Sequence, residues 1–208
     1  MTSWDELFSS KDRAVGEVAA VEAGKIEIYV YPEFYPLIRV GSILSINSEN
    51  TKVLGLVVKL AHRSKHGTFT PMKSTRYEIQ KAYPDLEKYH NFVSTMVYTS
   101  HLHGNHVVHV RASMPRLHDL VYVVKDEPLL DMFFKPKGTW DLNFLRYYIV
   151  EGAGPLEVRE FFYNHKDYFI KHMHEKESLI REITRALLKS GMNDIARYLE
   201  DICEVLGW

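Results

Sequence analysis

The alternation of apolar and polar residues over residues 14–58 constrains the fold of this chain more than any other feature. Two runs, AVGEVAAVEAGKIEIYVYPE and LIRVGSILSIN, are followed by a return run, TKVLGLVVKLAHR, and apolar residues occupy roughly every second position. This period is typical of strands with one buried face. Turn-forming residues separate the runs at Gly24-Lys25 and at 47–50. Because the strands are short and the turns are tight, the pattern predicts a small closed β-barrel.

The barrel pattern continues to about residue 125 with one interruption. Residues 73–91, KSTRYEIQKAYPDLEKYHN, break the alternation and predict a helical insert, with Ser74 or Thr75 available as its N-cap. β-strand character then returns in FVSTMVYTSHL and HVVHVRA, and the LVYVV run at 120–124 is predicted as the last strand.

The second part of the chain has a helical pattern. EPLLDMFF is a short helix-like stretch, and the polar connector KPKGTWD follows it. Residues 140–151 are compatible with either a strand or a helix, whereas Pro155 is suited to the first turn of a helix. Two amphipathic helices then follow, separated by Ser190-Gly191. The predicted architecture is α+β, with a barrel and its insert over residues 1–134 and a helical domain over residues 135–208.

Composition narrows the class of protein. The formal net charge is −1, which argues against coating of nucleic acid by the whole surface. Cys203 is the only cysteine, so an intramolecular disulfide and a thiolate zinc site are both excluded. The start, MTSWDELFSSKDR, lacks the apolar core of a signal peptide, and no later run has the length of a membrane span. We therefore expect a cytoplasmic protein without a membrane association.

Basic residues are concentrated in one segment. Between Lys52 and Lys81 there are seven lysines and arginines and a single acid, Glu78. No nucleic-acid recognition motif accompanies them, so any contact with DNA would be electrostatic and salt-sensitive. A solvated loop is the alternative interpretation. The candidate residues for binding a nucleic acid or a protein partner are Lys59, Arg63, Lys65, His66, Lys73 and Arg76.

Histidines form the motif H-x-H-x-x-H-x-x-H around a predicted turn at Gly104-Asn105. His101 and His103 are two residues apart on a strand and therefore share a face. Together with His106 they are candidate metal ligands, since imidazole nitrogens bind zinc. No acidic residue lies between Glu87 and Asp119 to complete the site. A polar hairpin with exposed imidazoles is the favoured interpretation, and a histidine-metal hydrolase is the least favoured function.

A second group of histidines lies where the C-terminal helices begin. His165 and His172 are two helical turns apart, which favours a solvated face over shared ligation of one ion. The nearby run EFFYNHKDYF holds more aromatic residues than one helix face can bury. Part of this run is therefore expected to pack on the barrel or on another subunit.

Five segments in order resemble the HAS-barrel, the N-terminal β-barrel of HerA-type DNA-translocating ATPases and of rotary ATP synthase subunits. Each segment is weak by itself, but their order and spacing carry the resemblance over about the first two thirds of the chain. The segments are VGEV at 15–18, VGSILSI at 40–46, VLGLVVKL at 53–60, AYPDLE at 82–87 and PRLHDLVYVVKDEPLLDMF at 115–133.

The chain departs from that family after the barrel. A HerA-type ATPase needs a G-x-x-x-x-G-K-[ST] loop to hold phosphates. The sequence contains no such motif, and its glycine-rich stretch, Gly152-Ala153-Gly154, leads into Pro155 without a lysine. We therefore expect neither nucleotide nor cofactor binding. The resemblance implies a non-catalytic accessory or assembly protein, which uses its barrel to contact a protein partner or a second copy within DNA-processing machinery. Nucleic-acid binding through the basic segment is the alternative.

Overall fold

The computed structural model of the chain contains an antiparallel β-barrel with helices packed on part of its outer wall. The described residues are 3–49, 51–64, 75–82, 90–111, 114–192 and 194–208. The strands are β1 (Gly16–Glu22), β2 (Lys25–Val30), β3 (Ile43–Ser48), β4 (Thr51–Ser64), β5 (His90–His103), β6 (His106–Val108) and β7 (Leu120–Val123). The helices are α1 (Trp4–Ser9), α2 (Arg76–Ala82), α3 (Glu127–Phe134), α4 (Phe144–Val150), α5 (Pro155–Asn164), α6 (Lys166–Lys171), α7 (Lys176–Lys189) and α8 (Ile195–Leu206).

Six strands close into a ring. Their order is β2-β1-β7-β3-β4-β5, and β5 pairs back with β2, while β6 extends β5 outside the ring. A barrel of this size has room only for side chains. The interior is filled by apolar residues with no exposed surface, among them Val18, Ile28, Leu44, Ile46, Val53, Met96 and Val121. The predicted α+β fold with a small closed barrel is confirmed.

One of two bulges between β4 and β5 changes which side chains of β4 point outward. The register between β4 and β5 shifts between Leu54 and Gly55 and again between Val57 and Lys59. Before the second bulge, Leu54 and Leu56 pack in the cluster that contains the helices, whereas Val57 belongs to the barrel interior. After it, Lys59 is exposed. One extra residue therefore turns the outward face of β4 from apolar to charged.

The helices cover the outer wall of the barrel with aromatic side chains. The hydroxyl of Tyr148, on α4, donates a hydrogen bond of 2.9 Å to the carbonyl oxygen of Val57 on β4. None of the helices in the described ranges has both the length and the apolar character needed to cross a membrane. The phenylalanines with no exposed surface in this cover are Phe133, Phe134, Phe144, Phe161, Phe162 and Phe169.

The predicted elements agree with the described ones except at some boundaries. In the predicted insert, Thr75 caps α2, because its hydroxyl accepts from the amide of Glu78 at 3.3 Å and the Glu78 carboxylate accepts from the Thr75 amide at 2.8 Å. The prediction that this helical region extends to residue 91 is wrong at its end. His90 and Asn91 belong to β5, since they pair with Ser64 and Arg63 on β4.

Residues 140–151, which were compatible with a strand or a helix, contain α4, and α5 begins at Pro155 as predicted. The HVVHVRA run contributes only the three residues of β6. One apolar cluster includes Trp4 and Leu206, and thus joins residues from both sides of the boundary at 134/135. The division into two domains there stays a prediction.

Gly41 lies where the barrel meets α5. Its φ angle is +81°, and a Cβ atom added there would lie 2.5 Å from the Cα atom of Phe161. Its amide donates to the carbonyl oxygen of Val57 at 2.8 Å, so the turn is also tied to β4. The position therefore needs glycine for two reasons, the left-handed backbone and the close approach of a helix.

We expect Gly41→Ala to lower the free energy of unfolding by about 3 kcal/mol, because backbone strain adds to a clash with backbone atoms. Gly138 is a matched control, since its φ angle is +75° and nothing lies within 4 Å of an added Cβ atom. Gly138→Ala should cost only about 1 kcal/mol. Equal losses for the two variants in urea denaturation would show that the contact with Phe161 is unimportant.

Candidate functional site

Lys59 and Arg63, two of the predicted binding residues, are exposed on β4. The register places Lys59, Thr95 and Glu27 in one row across β4, β5 and β2. Tyr29 follows in the next row of the same outward side and is 41% exposed. We call this surface, formed by Glu27, Tyr29, Lys59, Arg63 and Thr95, the exposed barrel face.

Arg63 is held in a fixed geometry by Glu27. Its Nη1 and Nη2 atoms donate hydrogen bonds of 2.9 Å and 2.7 Å to the two carboxylate oxygens of Glu27. This bidentate pair crosses β5 and occupies donors that a phosphate group would otherwise use. Lys59 has no ion pair among the described residues. Sequence reasoning missed Glu27 and Tyr29, because only the register across three strands brings them beside the basic residues.

Of the other predicted binding residues, only the backbone of Arg76 belongs to the described part of the chain. Lys65, His66 and Lys73 lie outside the described residues. Arg76 is the first residue of α2. The exposed barrel face is therefore formed by β2, β4 and β5. The predicted basic loop stays a prediction.

The predicted histidine hairpin is present. β5 and β6 pair with His103 opposite His106, so the turn lies at Gly104-Asn105 as expected. The Nδ1 atom of His101 lies 2.7 Å from the carbonyl oxygen of Val110, which occupies one of its two ring nitrogens. His103 and His106 are exposed. Within the described ranges, no three histidine, cysteine or acidic side chains are arranged to hold a metal ion together.

His109, the last histidine of the motif, lies in the core rather than on the hairpin surface. Its Nδ1 atom is 2.8 Å from the hydroxyl oxygen of Ser100. A histidine beside a serine is the geometry of an activated nucleophile, but Ser100 has no exposed surface and no substrate can reach it. Burial lowers the pKa of His109 to about 4, with the nearby charge of Asp141 acting in the opposite direction. The pair therefore serves packing.

The second histidine group departs from the expected solvated face. His165 is only 9% exposed, and its Nε2 atom lies 3.2 Å from the carbonyl oxygen of Gly41. Burial lowers the pKa of His165 to about 4. The Nδ1 atom of His172 lies 2.9 Å from the carbonyl oxygen of Tyr168, and its ring lies against those of Tyr168 and Trp140. The solvated-face interpretation fails because the chain bends between α5 and α6, and His165 turns toward the barrel.

The aromatic run around His165 packs as expected. Phe161, Phe162 and Phe169 have no exposed surface and contact each other, while Tyr163 is 61% exposed. Two consecutive helices, rather than one, carry these residues, so more than one face is available to bury them.

Acidification should destabilise the fold through His109 and His165. Burial lowers the pKa values of His109 and His165 to about 4, whereas the histidines of the unfolded chain have a pKa of about 6.5. Between these values the unfolded state binds more protons, so the free energy of unfolding falls as the pH falls. From about pH 7 to about pH 4.5 we expect a loss of about 2 kcal/mol for each histidine, measured by urea denaturation.

His165→Gln should remove the part of this acid sensitivity that His165 contributes, since glutamine keeps a donor but does not titrate. His103→Gln, at an exposed histidine, is the control and should leave the pH dependence unchanged. The interpretation fails if the two variants lose stability on acidification in the same way as the natural protein.

We compared the chain with models of protein families and with curated proteins. No protein-family model matches the chain. No curated protein matches it. The resemblance to the HAS-barrel therefore depends on the five segments and their order alone.

Proposed function

We propose that this protein is a non-catalytic docking module that binds a protein partner through the exposed barrel face. The observation that carries this proposal is the exposure of Tyr29, Lys59 and Arg63 on paired strands of the barrel. The barrel interior is filled with side chains, so binding takes place on the outside. Tyrosine and arginine are the residues that most often dominate the energy of protein interfaces.

The exposed barrel face has the composition and rigidity of such an interface. Tyr29 offers aromatic area at a small cost in conformational entropy. Arg63 is oriented by Glu27 before any partner arrives, which lowers the entropy lost on binding. Lys59, which forms no ion pair with the residues that the structure describes, adds a charge that can speed association with an acidic surface.

The resemblance to the HAS-barrel of HerA-type ATPases supports a partner in DNA-processing machinery. In those ATPases the barrel lies at one end of a hexameric ring, where it supports assembly and docking of a nuclease. The proposed partners are accordingly a HerA-type ATPase, its nuclease or a second copy of this chain.

We expect the natural protein to form an oligomer, or a complex with a HerA-type ATPase or nuclease, in sedimentation measurements of mass. Tyr29→Thr should weaken the association about 10-fold or more, because it removes the aromatic anchor. Tyr163→Thr is the matched control, since Tyr163 is exposed on α5, away from the barrel face. A strictly monomeric protein that binds neither component contradicts the proposal, and so does an equal loss in the two variants.

Nucleic-acid binding through the basic segment is the alternative proposal. Lys59 favours it, because this lysine is exposed and has no ion pair in the described part of the chain. If it holds, a labelled DNA duplex should bind less tightly as salt rises, and Lys59→Gln should reduce the salt slope by about 1. Lys11→Gln, at an exposed lysine next to α1, serves as the control. Fluorescence anisotropy with no salt-dependent binding rejects this alternative.

A further inference from the structure

An open groove lies between the barrel and its helical cover, and none of the residues of the exposed barrel face lines it. Its volume is about 450 Å³, which is within the range of ligand-binding clefts. The barrel side is formed by the 3-10 helix at Pro32–Leu37, β3 and β7, and the other side by α3, α5 and α6. We call it the barrel-helix groove.

The barrel side of this groove carries two cations without counter-ions. Arg39 follows the 3-10 helix, and its amide donates to the Ser42 hydroxyl oxygen at 3.0 Å, which fixes the turn. Lys125 follows β7. Neither side chain has an ion pair within the described ranges. Burial, and to a smaller extent the charge of Arg39, lowers the pKa of Lys125, so the two positive charges repel each other.

The helical side is already neutralised in part. Lys171 donates to the carboxylate of Glu127 at 2.6 Å. This hydrogen bond, and to a smaller extent the nearby charge of Asp167, raises the pKa of Lys171. The two acids share one cation, so this side keeps negative character. The positive charge available to a ligand is therefore confined to the barrel side.

The groove also has apolar surface for an occupant. Ile43, Val124 and Leu130 line its floor, and Leu37 is 42% exposed at its edge. A ligand that complements the two cations and the apolar floor has a carboxylate beside an apolar side chain. A nucleic-acid backbone fits poorly, because its closely spaced phosphates would meet the carboxylates of Glu127 and Asp167.

We propose that the barrel-helix groove binds an acidic, partly apolar peptide segment of a protein partner, with a carboxylate of the peptide between Arg39 and Lys125. The apolar side chain next to that carboxylate packs on Leu37 and the groove floor. This site is separate from the exposed barrel face, so the molecule has two binding surfaces, and the second does not depend on the first.

Nuclear magnetic resonance titration of the isotope-labelled full chain tests this proposal, because it detects binding at millimolar affinity and locates it. The probe is a blocked Leu-Glu-Glu-Leu peptide at low salt. We expect saturable shifts at Arg39, Ser42 and Lys125, and an affinity about 5-fold weaker in either Arg39→Gln or Lys125→Gln. Arg146→Gln and Lys11→Gln, which remove exposed charges outside the groove, should bind like the natural protein.

Three outcomes overturn the proposal. The first is the absence of shifts at the groove residues. The second is equal binding of a blocked Leu-Gln-Gln-Leu peptide, which would show that the charges of Arg39 and Lys125 do not recognise the ligand. The third is tighter binding of inorganic phosphate than of the acidic peptide at the same residues. Oligomerisation and ATPase binding are measured separately, so failure here leaves the docking role of the exposed barrel face untouched.

Discussion

The structure depends on four barrel strands that are buried on both faces. β3, β4, β5 and β7 fill the barrel with one set of side chains and support the helices with the other. This arrangement explains why β3 is buried at nearly every position rather than at alternate ones. Each aromatic side chain of the cover contributes about 2 kcal/mol on burial. Without the outer contacts, the barrel would expose an apolar wall, and without the barrel the short helices would have no surface to pack on.

The bulges in β4 and β5 reconcile this double burial with a surface for binding. In a regular strand every second side chain points to the same side. Without a bulge, the alternation that turns Leu56 outward to the helices would continue to the end of β4. The extra residue at position 58 shifts this alternation by one position, so the side chains of Lys59 and Arg63 point outward. A local irregularity of one residue thus separates the structural part of the strand from the part proposed to bind a partner.

The sequence predicted what depends on local periodicity and missed what depends on distant neighbours. The barrel strands and the helix starting at Pro155 follow from alternation, helical spacing and capping chemistry. The burial of His109 and His165 does not, because a histidine has the same local pattern in a core as on a surface. Arg63 was found as a basic residue, but its partner Glu27 lies 36 positions away in the chain. Arg39 and Lys125 escaped for the same reason, since only the folded barrel brings their two turns together.

β4 and β5 are each 14 residues long and run without a break from the helical cover to the exposed barrel face. They pair with each other along this length, interrupted by two bulges of one residue each, and neither strand contains a loop between its two ends. A displacement at Arg63 would therefore pass along continuous backbone to the hydrogen bond between Val57 and Tyr148, where α4 packs on the barrel, and the bulges are the points at which the strands can bend.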